Sequence, residues 1–354
     1  MTILESVIKA ITPQSSAYRD KAHERLAQLT MPFWALGRLM DLAVDLAGMT
    51  KSMAPPVARR SVVVFAGDHG VVKEGVSKYP QEVTCQMVRN FVNGGAGINA
   101  ISRVVGAKVI VVDMGTAAPL DDLVKEGKVL SRRIGPGTKN MAAGPAMTRE
   151  EALASVEAGI GVALKLADDT DIFATGEMGI GNTTPSSAIT AVLTKQLAAK
   201  VTGRGTGLEE PEFHHKIEVI ERALALNKPC ADDPLDVLAK VGGFEIGGIA
   251  GLILGAASLR KPVLLDGFIS TAGGLVAHAL CQSSAEFMIA SHRSVEQGHS
   301  FALSHLGKTP LLDLDLRLGE GTGAALAMSL VEASVRILTE VATFEEAAVS
   351  GALG

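Results

Sequence analysis

The sequence predicts a doubly wound α/β fold, a mostly parallel sheet covered by helices on both faces, with a small helical domain built from the two termini. Three observations predict it. Short, continuously apolar runs recur through the middle of the chain, as strands buried on both faces require. Longer stretches with helical spacing separate them, giving the β–α alternation of a parallel sheet. The two ends carry only helical patterns, up to about residue 48 and from about residue 322. The expected strands are 61–67 (SVVVFAG), 108–114 (KVIVVDM), 171–175 (DIFAT), 262–266 (PVLLD) and 286–290 (EFMIA). The expected helices are 81–93, 149–166, 185–199, 210–227, 244–259 and 295–306. They divide the chain into a large domain, 58–294, and a small helical domain made of 1–57 together with 295–354.

Composition narrows the function classes. The 354 residues suffice for a substantial core. With 47% hydrophobic and 20% charged residues and a mean hydropathy of +0.28, the chain is expected to be globular rather than disordered. A net charge of −5, with no basic tract, argues against a nucleic-acid surface. Cys85, Cys230 and Cys281 are odd in number and far apart, so neither a disulfide framework nor a zinc knuckle is expected. The reducing cytoplasm is the fitting compartment, and the opening MTILESVIKAITPQ lacks the pattern of a signal peptide. The longest apolar stretch, 243–259, contains Glu245 and Gly247, Gly248, Gly251 and Gly255. It is too short for a membrane span and reads as a buried helix packed closely on the sheet. His214, His215, His292, His299 and His305 have no recognised metal spacing, and no metal is expected.

Polar residues stand just past the expected strands: Asp68-His69-Gly70, Asp113, Glu177, Asp266-Gly267 and Ser291-His292. That edge is where open α/β sheets bind ligands, although each residue alone fits a cap or turn. The most informative stretch is 176–185, GEMGIGNTTP. Gly179 and Gly181 allow a tight turn and close approach of a ligand. Asn182, Thr183 and Thr184 offer N-cap chemistry, and Pro185 suits a first helical turn. A helix N-terminus after a strand and a glycine loop is suited to a phosphate. Glu177 would repel that phosphate, so it is expected to face a ribose hydroxyl or a cationic part of a ligand. A plain strand-to-helix turn has the same spacing, and the stretch is neither a dinucleotide fingerprint nor a lysine-containing phosphate loop.

Three further stretches carry candidate residues. In 316–328, LRLGEGTGAALAM, Glu320 stands between Gly319 and Gly321, accessible and ahead of a helix beginning at Thr322. The helix dipole favours its ionised form, ready to accept a proton. By spacing alone, helix capping is the plainer account. In 202–216, TGRGTGLEEPEFHHK, Gly203, Gly205 and Gly207 can approach a phosphate that Lys216 would neutralise. Taken alone, Lys216 reads as an exposed lysine after a surface loop. Tyr79, Pro80, Gln86 and Met87 open a helix, and Met87 suits either a flat aromatic ligand or the core.

GEMGIGNTTPSSA, KVGGFEIGGIAG, VLLDGF and LRLGEGTGAALAM, with FAGDHGV and YPQEVTCQMVRNFVNGGAGIN, closely resemble the nicotinate-nucleotide–dimethylbenzimidazole phosphoribosyltransferase family over about residues 36–333. The resemblance implies transfer of the phosphoribosyl group of nicotinate mononucleotide to dimethylbenzimidazole, in the lower-loop branch of cobalamin synthesis. It implies Glu320 as the catalytic base and places Glu177 and Lys216 in the active site. Met178, Asp266, Ser291 and Leu318 join the expected substrate-binding residues. It further implies a Rossmann-like sheet, a homodimer and no cofactor. The chemistry is compatible. Nicotinate leaves from a cationic pyridinium linkage and needs no acid, and the incoming base must give up one ring proton, for which one carboxylate suffices. The chain departs from the family where a Pro-Pro-Gly-Ser-Leu-Gly-Arg-like segment is replaced by Met31-Pro32-Phe33-Trp34-Ala35-Leu36-Gly37-Arg38, whose Trp34 is expected to serve packing. A nucleotide-dependent oxidoreductase is disfavoured, because Asp68-His69-Gly70 follows the first strand where a Gly-x-Gly-x-x-Gly turn would be needed. A non-catalytic nucleotide-binding protein, or a transferase using another aromatic base, stays open.

Overall fold

The computed structural model describes residues 1–205 and 207–351. Strands β1 (Arg60–Gly67), β2 (Lys108–Gly115), β3 (Leu130–Ser131), β4 (Ile172–Met178), β5 (Val263–Leu265) and β6 (Met288–Ala290) form one sheet in the order β3-β2-β1-β4-β5-β6. Every pairing in it is parallel. β7 (His292–Ser294) and β8 (Leu312–Leu316) make a separate parallel pair. The chain winds outward through β1, β2 and β3, then returns to place β4 on the other side of β1. That reversal opens a crevice at the carboxyl ends of β1 and β4.

The five expected strands correspond to β1, β2, β4, β5 and β6. Residues 62–67 of β1 and 172–177 of β4 are buried without interruption, which is why their sequences do not alternate. β3, β7 and β8 were not foreseen, and β7 consists of the polar residues His292, Arg293 and Ser294. β3 has two residues, and the centre of β8, Asp313 to Asp315, is exposed, so neither leaves an apolar run. Arg149–Leu166 and Glu210–Asn227 are helices with the expected bounds. The first opens on a capping box between Thr148 and Glu151 and buries Ala152, Ser155, Val156, Gly159 and Ile160 on one face. The helix expected over 185–199 is Thr183–Thr194. Lys195, in the left-handed region at φ +56°, closes it.

The helix Phe244–Ser258 is apolar on all sides because it is covered on all sides. A Cβ on Gly248 would stand 2.8 Å from the Phe65 ring of β1, so the expected packing on the sheet is present. The closer partner is the helix Arg149–Leu166: a Cβ on Gly251 would lie 1.9 Å from the Val156 carbonyl, and one on Gly159 would lie 2.0 Å from that of Gly248. Thr322–Glu340 is long and apolar enough to cross a bilayer, yet more than half of its residues are buried, and it packs on the sheet and on the helix Gly97–Val105. Its far end meets the N-terminal region. Leu338 joins Ala22, Leu26, Leu29, Met40 and Val44 in a second small core, and Leu29 bridges Thr343. Trp34 packs against this core, and its indole N–H donates to Asp41 at 2.9 Å.

Candidate active site

The crevice at β1 and β4 brings two carboxyl groups together. Gly176 of β4 faces the backbone of Glu320, whose carbonyl oxygen would be 2.4 Å from a Cβ there. Glu177 follows. Its Oε1 lies where a Cβ on Gly319 would stand 2.2 Å away, and its Oε2 accepts a hydrogen bond from the Asn182 amide. Side chains at 176 or 319 would therefore separate strand and loop. Glu320 sits in the left-handed region at φ +62°, uncommon for a residue with a Cβ. Asp266, just past β5, holds this loop. Its carboxylate accepts the N–H groups of Gly321, Gly323 and Ala324 at 3.1, 2.8 and 3.0 Å, which caps the helix Thr322–Glu340. Asp266, expected beside the substrate, is buried, with its carboxylate bonded to the loop that follows Glu320 and 3.7 Å from His292 Nδ1.

The expectation of an accessible Glu320 with an acidic bias is corrected. Its side chain is 5% exposed, and its Oε2 accepts the Ile98 N–H at 3.0 Å, at the start of Gly97–Val105 rather than of its own helix. Burial raises its pKa above the ordinary glutamate value; the Ile98 N–H opposes this and the Asp266 charge adds to it. One backbone donor at a helix N-terminus does not outweigh desolvation. Burial likewise pushes Glu177 up to about 8, against the Asn182 hydrogen bond and with the charges of Asp266, Glu245 and Glu320 adding. At neutral pH Glu177 is mostly protonated and can donate a hydrogen bond.

One residue beyond Asn182 a second cluster begins. Lys216 donates to Thr183 Oγ1 at 2.7 Å and to the Gly203 carbonyl at 3.2 Å. It is not the exposed lysine that its surroundings in the sequence suggest, being 0% exposed, and burial lowers its pKa to about 8. Gly205, at φ +53°, leaves room beside it: a Cβ would stand 3.1 Å from Thr183 Oγ1 and 3.4 Å from Lys216 Nζ. The loop carrying Gly179 and Gly181 is pressed onto β1, with the Gly67 carbonyl 2.3 Å from a Cβ on Gly179. Thr84 accepts the Ile180 N–H at 3.1 Å and clamps the loop from the helix Val83–Val92. Thr184 is buried behind it.

The remaining candidates separate. Ser291 is buried and its hydroxyl donates to the Leu265 carbonyl at 2.5 Å. Leu318 is exposed and lies over Gly97 beside Glu320; Met178, next to Glu177, is half-buried. Tyr79, Pro80 and Gln86 are exposed around the start of Val83–Val92, and Met87 packs against the core. Asp68 and Asp113 fasten turns. Asp68 accepts the Ala117 N–H at 2.7 Å, and Asp113 accepts those of Gly115 and Thr116. Sequence reasoning missed the buried pair of His69 and Glu245, 2.6 Å apart and enclosed by Gly67, Gly179 and Gly243. Its visible signals were His69 just past the first expected strand and a polar residue, Glu245, inside the apolar run 243–259.

The same arrangement has relatives. A family model described as phosphoribosyltransferase matches residues 11–349. A nicotinate-nucleotide–dimethylbenzimidazole phosphoribosyltransferase of Syntrophotalea carbinolica is 63% identical over 350 residues, 99% of each chain. One of Desulfotalea psychrophila is 54% identical over 351 residues, again 99% of each. The crystal structure of such an enzyme from Thermus thermophilus superposes with a TM-score of 0.90 at 44% identity, covering 96% of this chain and 100% of that one. With likeness of this extent in sequence and in fold, the chain belongs to the nicotinate-nucleotide–dimethylbenzimidazole phosphoribosyltransferase family.

Proposed function

We propose that this protein transfers the 5-phosphoribosyl group of nicotinate mononucleotide to dimethylbenzimidazole, giving α-ribazole 5′-phosphate and nicotinate for the lower ligand of cobalamin. The observation that carries the proposal is a single continuous site. The loop that carries the buried Glu320 lies against Gly176 and Glu177, whose partner Asn182 adjoins the Thr183–Lys216 cluster. In this reading Lys216, Thr183, Thr184 and the backbone at Gly179, Gly181, Gly203 and Gly205 hold the phosphate. Protonated Glu177 donates to the ribosyl group. Met178, Leu318, Tyr79, Pro80, Gln86 and Met87 flank the flat aromatic base, and Ser291 lines the floor.

The step needs one proton acceptor. A ring nitrogen of dimethylbenzimidazole forms a bond to the anomeric carbon as the bond to nicotinate breaks, and that electron pair neutralises the pyridinium. The other ring nitrogen gives its proton to Glu320. Attack on the face opposite the leaving group converts the β-nucleotide to the α-product. Holding both ligands in line supplies much of the rate. A cytoplasmic homodimer with no cofactor completes the proposal, and sedimentation in solution tests the assembly. The test of function is chromatography of the purified protein with nicotinate mononucleotide and dimethylbenzimidazole. Nicotinate and α-ribazole phosphate should appear together in equal amounts. Absence of both from folded protein, with turnover of another aromatic base, would move the assignment to that base.

A further inference from the structure

The anion cluster contains a carboxylate that the transfer step does not use. Glu296, ahead of the helix Gln297–His305, is 8% exposed. Its carboxylate is laid against Gly203, where a Cβ would fall 1.9 Å from Oε2 and 3.3 Å from Oε1. Oε2 is buried and has no hydrogen-bond partner among the described residues. Lys216 reaches the carbonyl of the same glycine. Neither group has an ion-pair partner within 4 Å among the described residues. Two buried, unlike charges thus share one glycine without closing on each other, and burying charge without compensation is costly. A ligand that satisfies both must present an acceptor to Lys216 and a donor to Glu296. A fully ionised oxyanion meets the first condition and is repelled by the second. An oxyanion that keeps one proton meets both, its O⁻ accepting from Lys216 and its O–H donating to the carboxylate.

We propose that Glu296 is a selectivity residue of the phosphate subsite: the subsite takes the phosphate group with one proton on it and discriminates against oxyanions that carry none. The inference rests on the reading of the Lys216 cluster as that subsite. A phosphomonoester loses its second proton near pH 6, so at neutral pH the bound substrate keeps or takes up a proton that the free one has largely lost.

The test is competition at pH 7 and constant ionic strength, with inorganic phosphate, which retains a proton there, against sulfate, which has none. Initial rates of nicotinate release are read at subsaturating nicotinate mononucleotide. Phosphate should inhibit the wild-type enzyme about tenfold or more strongly than sulfate, the worth of one charge-assisted hydrogen bond. In Glu296→Gln, which can donate where the carboxylate only accepts, the ratio should collapse toward one, chiefly through tighter sulfate. Equal inhibition in the wild type overturns the proposal whether or not the variant folds. So does an unchanged ratio in a Glu296→Gln protein that unfolds cooperatively. If neither anion competes with nicotinate mononucleotide, and Lys216→Met leaves its KM unchanged, the phosphate subsite lies elsewhere and this inference falls with it.

Discussion

Among the described residues the Glu320 carboxylate has one hydrogen-bond partner, the Ile98 N–H, which a glutamine at the same position can also satisfy through its amide oxygen. Glu320→Gln therefore keeps the local structure while removing the proton acceptor. Its kcat should fall by about 10²–10⁴-fold, with the KM for nicotinate mononucleotide little changed. A kcat within a few-fold of wild type would remove Glu320 from the base role. Glu177 makes a prediction of a different kind. Its pKa is about 8 in the folded chain against an ordinary 4.5, so between those values the folded state holds a proton that the unfolded chain has released. Stability from this group is complete below 4.5 and is lost as pH rises through about 8. Glu177→Gln removes that loss, so the Tm of the variant relative to wild type should climb as pH is raised from 5 to 8. A constant difference across that range would show that Glu177 is not held protonated. Both carboxylates were legible in the sequence as acids set among glycines. Their burial was not, because it depends on partners far along the chain: Ile98 is 222 residues from Glu320, and Asp266 is fixed by a helix that begins 56 residues later.

Glycine spacing decides how closely the elements approach. On the helix Arg149–Leu166, Gly159 faces the Gly248 carbonyl, and a Cβ there would be 2.0 Å from a backbone atom that cannot rotate away. Gly161, two residues on, faces open space. Gly159→Ala should force the two helices apart and lower the unfolding free energy by about 1–3 kcal/mol. Gly161→Ala should raise it by about 0.5–1 kcal/mol through helix propensity alone. Opposite shifts in denaturant midpoint check both at once, and equal shifts would refute backbone contact between these helices. The run 243–259 revealed a buried helix but not its nearest partner, because small residues permit close packing on either a sheet or another helix. Strands were legible where burial is continuous, as in β1 and β4, and illegible in β8, where Leu-Asp alternation follows an exposed surface. The left-handed Lys195 ends its helix with a residue type that carries no stop signal, so that boundary was overrun.

At the scale of the whole molecule, strand order converts distant motifs into one site. Returning β4 to the side of β1 places Gly176 to Thr184 at the crevice, and Asp266 past β5 then draws in the loop of Glu320. The sequence showed the motifs in a row and the sheet edge that would hold them, while the order β3-β2-β1-β4-β5-β6 left no trace in spacing. This division of labour predicts how ligand binding couples to stability. A ligand that binds only the folded chain stabilises it by an amount set by its concentration relative to Kd, about 2.7 kcal/mol at a hundredfold excess. Nicotinate mononucleotide should therefore raise the Tm of the wild type and of Glu320→Gln alike, because the proton acceptor contributes to the reaction and not to holding the phosphate. Lys216→Met should lose most of the shift, since it removes the buried cation that bridges Thr183 and Gly203. Thermal unfolding of the three proteins across a nucleotide titration separates the roles. If Lys216→Met kept the full shift while Glu320→Gln lost it, anion holding and proton transfer would have to exchange places in this site.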